Sequence, residues 1–278
     1  MLRLDVPNLL RRFNLRPKKS LGQNFLVDER ALAKVASAAD LTPEDTVLEI
    51  GPGLGSLTRH LARAAHRVVA VELDDSLLLA LQHVLQPYPN VEIVHGDILR
   101  LPTSDFRLPT RYKVVANIPY YITSAVIRRL LEAQTRPALI VLTMQREVAE
   151  RLCAGPGEMS LLAVSVQFYS VPRIVARIPG GAFYPRPTVD SAVVRLEVLP
   201  RPAAAVDDAD DFFAVVKAGF SQKRKQLRNA LGGGLRLDPA QTGALLARAG
   251  IAPERRAETL TLEEWGALAR TFAEFNRH

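Results

Sequence analysis

From Thr46 to about Leu199 the chain alternates short apolar runs with segments whose apolar residues recur at helical spacing, and that alternation restricts the fold more than any single motif. Strands are predicted at Val47 to Ile50, Arg67 to Leu73, Val91 to His95, Lys113 to Asn117, Ala138 to Thr143 and Ala192 to Leu199. Helical patterns over Ser56 to Ala65, Ser76 to Leu85 and Ser124 to Ala133 fall between the earlier strands. Parallel strands need such crossovers, so the pattern predicts an α/β fold: a Rossmann-like, mostly parallel sheet covered by helices on both faces. Ligands of such sheets bind beyond the carboxyl ends of the strands.

The pattern changes at Pro200 to Asp211, where Pro-Arg-Pro-Ala-Ala-Ala gives way to four aspartates. Beyond it, Phe212 to Phe220, Gln226 to Leu231, Ala240 to Ala249 and Leu262 to Phe275 read as short amphipathic helices punctuated by Gly232-Gly233-Gly234 and Gly250. The expected organisation is a catalytic domain with an N-terminal arm over 1–203 and a small all-helical domain over 204–278.

The strand tips carry the chemistry. Glu49-Ile50-Gly51-Pro52-Gly53-Leu54-Gly55 follows the first strand, and Gly51 and Gly53 let a ligand approach the backbone. A dinucleotide fingerprint would need its third glycine where Ser56 stands, which disfavours a nicotinamide-dependent oxidoreductase. Glu72 ends the second strand, where an acid takes two ribose hydroxyls. Asp97 ends the third and is placed to accept from an adenine amine, with Ile98 able to pack on the ring. Taken singly, each acid could be no more than a helix cap or a solvated loop residue. Together they imply a nucleoside without a pyrophosphate, and the occupant inferred is S-adenosylmethionine, with no metal.

Asn117-Ile118-Pro119-Tyr120 closes the fourth strand. An adenine amine is a poor nucleophile because its lone pair is delocalised into the ring, and acceptors on its hydrogens push it toward a tetrahedral, reactive form. The side-chain oxygen of Asn117 and the carbonyl of Ile118 or Pro119 supply two acceptors, and Tyr120 can stack on the base. On its own the segment reads as an ordinary Asn/Pro turn.

The net charge of +7 points to a polyanionic partner. Arg11, Arg12, Arg16, Lys18 and Lys19 crowd the arm, and Lys223, Arg224, Lys225 and Arg228 form a second cluster read as the start of a helix, with no acid inside either. The single cysteine, Cys153, agrees with a reducing compartment. No apolar run reaches the roughly 20 residues of a membrane span, and no signal-type block opens the chain. The expectation is a cytoplasmic monomer.

In the order and spacing of these motifs the chain resembles the ribosomal RNA adenine dimethyltransferase family over nearly its whole length. The resemblance includes Ser20 to Leu26, Val71-Glu72-Leu73-Asp74, Gln145 to Ala149, Phe183 to Ala192 and Lys223-Arg224-Lys225. It implies dimethylation of adenosine N6 in small-subunit ribosomal RNA, with the small ribosomal subunit as partner. It further implies that Asn24 and Leu26 join the cofactor set and that Phe183, with Tyr120, sandwiches an extruded adenine. From the residues alone, Asn24 reads as an Asx-turn residue and Phe183 as core. Other readings are a non-catalytic assembly factor of the same fold and a large-subunit methylase with similar motifs. Residues 171–182 receive no role.

Overall fold

The structure, a computed structural model, describes residues 3–222 and 224–276. Nine strands occur in it: β1 (Phe25–Leu26), β2 (Thr46–Ile50), β3 (Arg67–Glu72), β4 (Val91–His95), β5 (Lys113–Asn117), β6 (Leu139–Gln145), β7 (Ser170–Ile178), β8 (Phe183–Tyr184) and β9 (Ser191–Val198). Seven form one sheet in the order β4-β3-β2-β5-β6-β9-β7. Strands β2 to β6 run parallel, while β9 lies antiparallel to β6 with Val141 opposite Arg195. The six strands expected from the sequence are all present.

Burial explains the composition of the central strands. Every residue of β2 is buried, as are Val114, Val115 and Ala116 of β5, because helices cover both faces. Each such Val or Leu contributes roughly 1.5–3 kcal/mol. At the edge, β4 leaves Glu92 and His95 exposed. The other edge is β7, in the segment to which no role was assigned. Pro172 and the alternating exposed Arg173, Val175 and Arg177 hide it from a search for apolar runs, and they are what an edge strand tolerates.

Chain order along the sheet reverses between β2 and β5: β3 and β4 extend to one side, β5 and β6 to the other. At such a switch point the connections diverge to opposite faces and leave a crevice above the strand ends. A two-residue ribbon lies outside the sheet, pairing Phe25 with Tyr184 and Leu26 with Phe183. Asp28 caps the helix Glu29–Ser37 immediately after it, accepting from the Ala31 N–H at 2.8 Å.

The chain divides into two compact units, residues 1–149 with 172–198 and residues 150–171 with 199–278. The second unit therefore contains more than the 204–278 segment expected. Helix Leu161–Tyr169 joins it, because Phe168 stacks on Phe212 with ring centroids 4.3 Å apart. The Gly232-Gly233-Gly234 run, read as punctuation, lies inside helix Leu227–Leu235, which ends at Arg236. A β-carbon at Gly234 would sit 2.6 Å from that of Ala218, so this glycine is where helix Ala209–Phe220 comes close.

Candidate active site

One cavity of ≈ 240 Å³ opens at the switch point within the first unit. It brings together Asn24, Leu26, Gly51, Gly53, Glu72, Asp97, Ile98, Asn117, Pro119 and Tyr120, contributed by the arm and the ends of β2 to β5. Phe183 is not among its lining residues.

Glu72 is buried and held at both oxygens by backbone. Its Oε2 accepts from the Gly53 N–H at 2.9 Å and its Oε1 from the Asp74 N–H at 2.8 Å. Burial raises its pKa, against the pull of those two amides. The first amide is available because Gly53 turns with φ +59, after Gly51 at +67. A β-carbon at Gly53 would come within 3.0 Å of the Phe25 ring, so the turn is tightly covered as well as left-handed. Asp97 accepts from the Leu99 N–H at 2.9 Å and remains partly exposed.

The arm forms one wall. Leu21 to Leu26 all line the cavity, and Gly22, at φ +60, lies against Pro119 and Tyr121. Two bonds to Asp74 fix the other end: Lys18 Nζ to Oδ1 at 2.6 Å and Gln23 Nε2 to Oδ2 at 2.7 Å. Burial alone would raise the Asp74 carboxyl, but the bonds from Lys18, Ser76 and Gln23 prevail and hold it below its ordinary value. The bond to Asp74 in turn raises Lys18. Lys18, expected to contact RNA, makes this bond while remaining exposed, and Arg16 and Lys19 are exposed as well. Sequence reasoning missed Asp74 and Gln23; their only signal was membership of two motif blocks.

At the end of β5, against the arm, Asn117 donates from Nδ2 to the Asn24 carbonyl at 3.2 Å, which turns Oδ1 away from that bond as an acceptor. Asn24 donates to the Gly22 carbonyl at 3.1 Å, the local turn its residue type suggests. The Tyr120 hydroxyl lies 2.8 Å from Ser191 Oγ, tethering the ring to the start of β9, and burial raises its pKa. Pro119 begins the turn that follows, its carbonyl accepting from the Ile122 N–H at 3.3 Å. Tyr121 is 61% exposed at the rim.

Phe183 is 4% exposed and packs in the core with Leu26, Leu32 and Ile178. Strand alternation in the ribbon accounts for this: Phe183 shares the inward face with its partner Leu26, and its neighbour Tyr184 is 41% exposed. In the second unit Arg224 and Lys225 are exposed in a turn before helix Leu227–Leu235, and Arg228 is exposed in its first turn. Lys223 lies outside the described residues. Among the described residues no three His, Cys, Asp or Glu side chains gather to hold a metal ion, and no helix is long and apolar enough to cross a membrane.

The profile of the family described as ribosomal RNA adenine dimethylase matches residues 14–274. The chain belongs to that family. Curated relatives named ribosomal RNA small subunit methyltransferase A include one from Dehalococcoides mccartyi (strain ATCC BAA-2266 / KCTC 15142 / 195), 48% identical, with 98% of this chain and 94% of the relative covered. Another, from Moorella thermoacetica (strain ATCC 39073 / JCM 9320), is 47% identical, with 95% of each covered. Among solved structures, the 23S rRNA methyltransferase ErmE superposes with a TM-score of 0.72 at 30% identity, covering 90% of this chain and all of that one. A dimethyladenosine transferase from Plasmodium falciparum gives 0.72 at 25% identity, covering 91% and 98%. Membership of the adenine dimethylase family implies S-adenosylmethionine as methyl donor. The cavity fits that molecule: apolar walls from Leu26, Ile50, Ile98 and Leu99, glycines where side chains would intrude, and carboxylates at separate strand ends suited to ribose hydroxyls and an exocyclic amine.

Proposed function

We infer that this protein transfers methyl groups from S-adenosylmethionine to the N6 amine of adenosines in small-subunit ribosomal RNA, twice per base, giving N6,N6-dimethyladenosine. The observation that supports the reading is one cavity lined both by the carboxylates Glu72 and Asp97 and by the Asn117 turn. When bound, S-adenosylmethionine supplies a methyl group on a positively charged sulfur that is already a good leaving group.

The chain's own groups position and polarise. Glu72 holds the donor's ribose and Asp97 its adenine amine, while Asn24, Leu26, Gly51, Gly53 and Ile98 shape the space around them. Asn117 Oδ1 accepts one hydrogen of the target amine and the Ile118 carbonyl accepts a second, since the Pro119 carbonyl already serves Ile122. This pair draws the nitrogen lone pair out of conjugation and aims it along the transfer line. Tyr120 stacks on the base after its extrusion from the RNA. A strong general base is unnecessary, because nitrogen bearing the new methyl is acidic enough for water to take its proton. Phe183 joins the stack only by leaving the core position it occupies here.

Arg16, Lys18 and Lys19 on the arm, with Arg224, Lys225 and Arg228 on the helical unit and their sequence neighbour Lys223, hold RNA phosphates. Cations ahead of a helix N-terminus add to the positive end of its dipole, so an anion is stabilised there. Phosphate contacts position without reading bases, so folded RNA shape selects the target. The enzyme works as a cytoplasmic monomer without a metal. Nucleoside mass analysis of small-subunit RNA, after incubation of undermethylated subunits with protein and donor, is expected to show N6,N6-dimethyladenosine. Unmodified RNA, or methylation at any other atom, would refute the assignment.

A further inference from the structure

Two consecutive arginines, Arg128 and Arg129, lie on the helix Thr123–Leu131, which starts directly after the turn Tyr120–Ile122. They do different things. Arg128 is exposed and pairs with Glu132 one helical turn on, Nε to Oε2 at 3.0 Å, an ordinary surface arrangement. Arg129 is half-buried and forms no ion pair among the described residues. Its guanidinium reaches 30 positions back along the chain, donating from one terminal nitrogen to the Leu99 carbonyl at 2.9 Å and from the other to the Leu101 carbonyl. A rigid planar fork suits two carbonyls held side by side in a way that a point-charge ammonium does not.

The turn so gripped is the one that carries Asp97. It follows β4, an edge of the sheet, so only β3 flanks it there, through a bond from the Gly96 N–H to the Glu72 carbonyl at 2.8 Å. Beyond Gly96, the amides of Arg100 and Leu101 each donate to the Asp97 carbonyl at 2.9 Å, and the Leu99 amide donates to its Oδ1 at 2.9 Å. The turn therefore directs its N–H groups at Asp97 and its carbonyls at Arg129. Arg100 lies 3.5 Å from Asp97 Oδ2 but is 88% exposed, so it holds that oxygen weakly.

We propose that Arg129 is a positioning residue for donor recognition, clamping this turn so that Asp97 meets the adenine amine of the bound donor. The inference rests on the donor reading of the cavity given above. Leu99 is the link: its amide fixes the Asp97 carboxylate, its carbonyl is held by Arg129, and it lines the cavity with Asp97 and Ile98. Without the fork the turn keeps its own amide bonds and loses its outer attachment. The carboxylate then loses its fixed aim and not its charge.

Two ligands read that aim. S-adenosylhomocysteine carries the amine, and its analogue with hydrogen in place of the amine is otherwise the same molecule. Calorimetry on the full-length protein is expected to show the wild type preferring S-adenosylhomocysteine by at least about tenfold, as for one hydrogen bond to a charged group. In Arg129→Met the preference falls below about threefold through weaker binding of S-adenosylhomocysteine, while the analogue binds within about twofold of wild type. Equal weakening of both ligands, with the preference intact, would make Arg129 a general support of the fold and overturn the proposal. So would wild-type affinity for both. Arg129→Lys keeps the charge without the fork and covers a methionine variant that does not fold: a preference lowered at least about threefold is expected, and an undiminished one overturns the proposal. A wild type that binds both ligands equally would instead remove the assignment of Asp97 to the amine, and this inference with it.

Discussion

The donor wall and the acceptor wall of the cavity are built by different means. On the donor side Glu72 is buried and accepts from two backbone amides, and Asp97 accepts from a third, so both carboxylates are set by the main chain at the ends of β3 and β4. The acceptor side depends on side chains and a turn: Asn117 hangs on one bond to the arm, Tyr120 on one hydroxyl contact to Ser191, and Tyr121 stands exposed. The difference matches the tasks. A small cofactor of fixed shape is best met by a rigid frame, whereas a base extruded from RNA must be admitted, methylated, turned and admitted again.

That contrast predicts separable defects. The largest is expected from Glu72→Ala, which leaves the Gly53 and Asp74 amides without their acceptor as well as deleting the proposed ribose contact. Affinity for S-adenosylhomocysteine should drop at least about 100-fold, equivalent to about 2.7 kcal/mol, by calorimetry. Retained affinity would mean that the donor frame is not where the strand tips place it. A smaller and different effect is expected from neutralising Arg224, Lys225 and Arg228. Each substitution should lower the slope of small-subunit binding against salt by about 1, while cofactor affinity stays unchanged. An unaltered slope would move the RNA contact elsewhere.

The donor wall was the more legible of the two in the sequence, for the same physical reason. A glycine turn or an acid at a strand end is local, and strand periodicity locates it without knowledge of the rest of the fold. Tertiary partners are not local. Nothing near Lys18 says that its ammonium meets Asp74, 56 positions away. Phe183 shows the limit of resemblance, since a motif names the residue but not the face of the ribbon it occupies, and here that face is the core. The Gly232 to Gly234 run illustrates the same ambiguity. Glycine marks a turn at Gly51 and Gly53, where φ is positive, and a close helix approach at Gly234, where it is not. Likewise β7 was hidden because an edge strand carries the charges and proline that a central strand lacks.

The central claim is that Asn117 activates the target amine rather than merely completing the cofactor pocket. Asn117→Ala tests it, with methyl transfer to small ribosomal subunits and affinity for S-adenosylhomocysteine measured on the same preparation. Turnover is expected to fall by about 10²–10³-fold, as for loss of one preorganised polar group, with affinity changed only a few-fold. Turnover that stays at the wild-type level, or that falls only in proportion to lost cofactor affinity, would contradict the account.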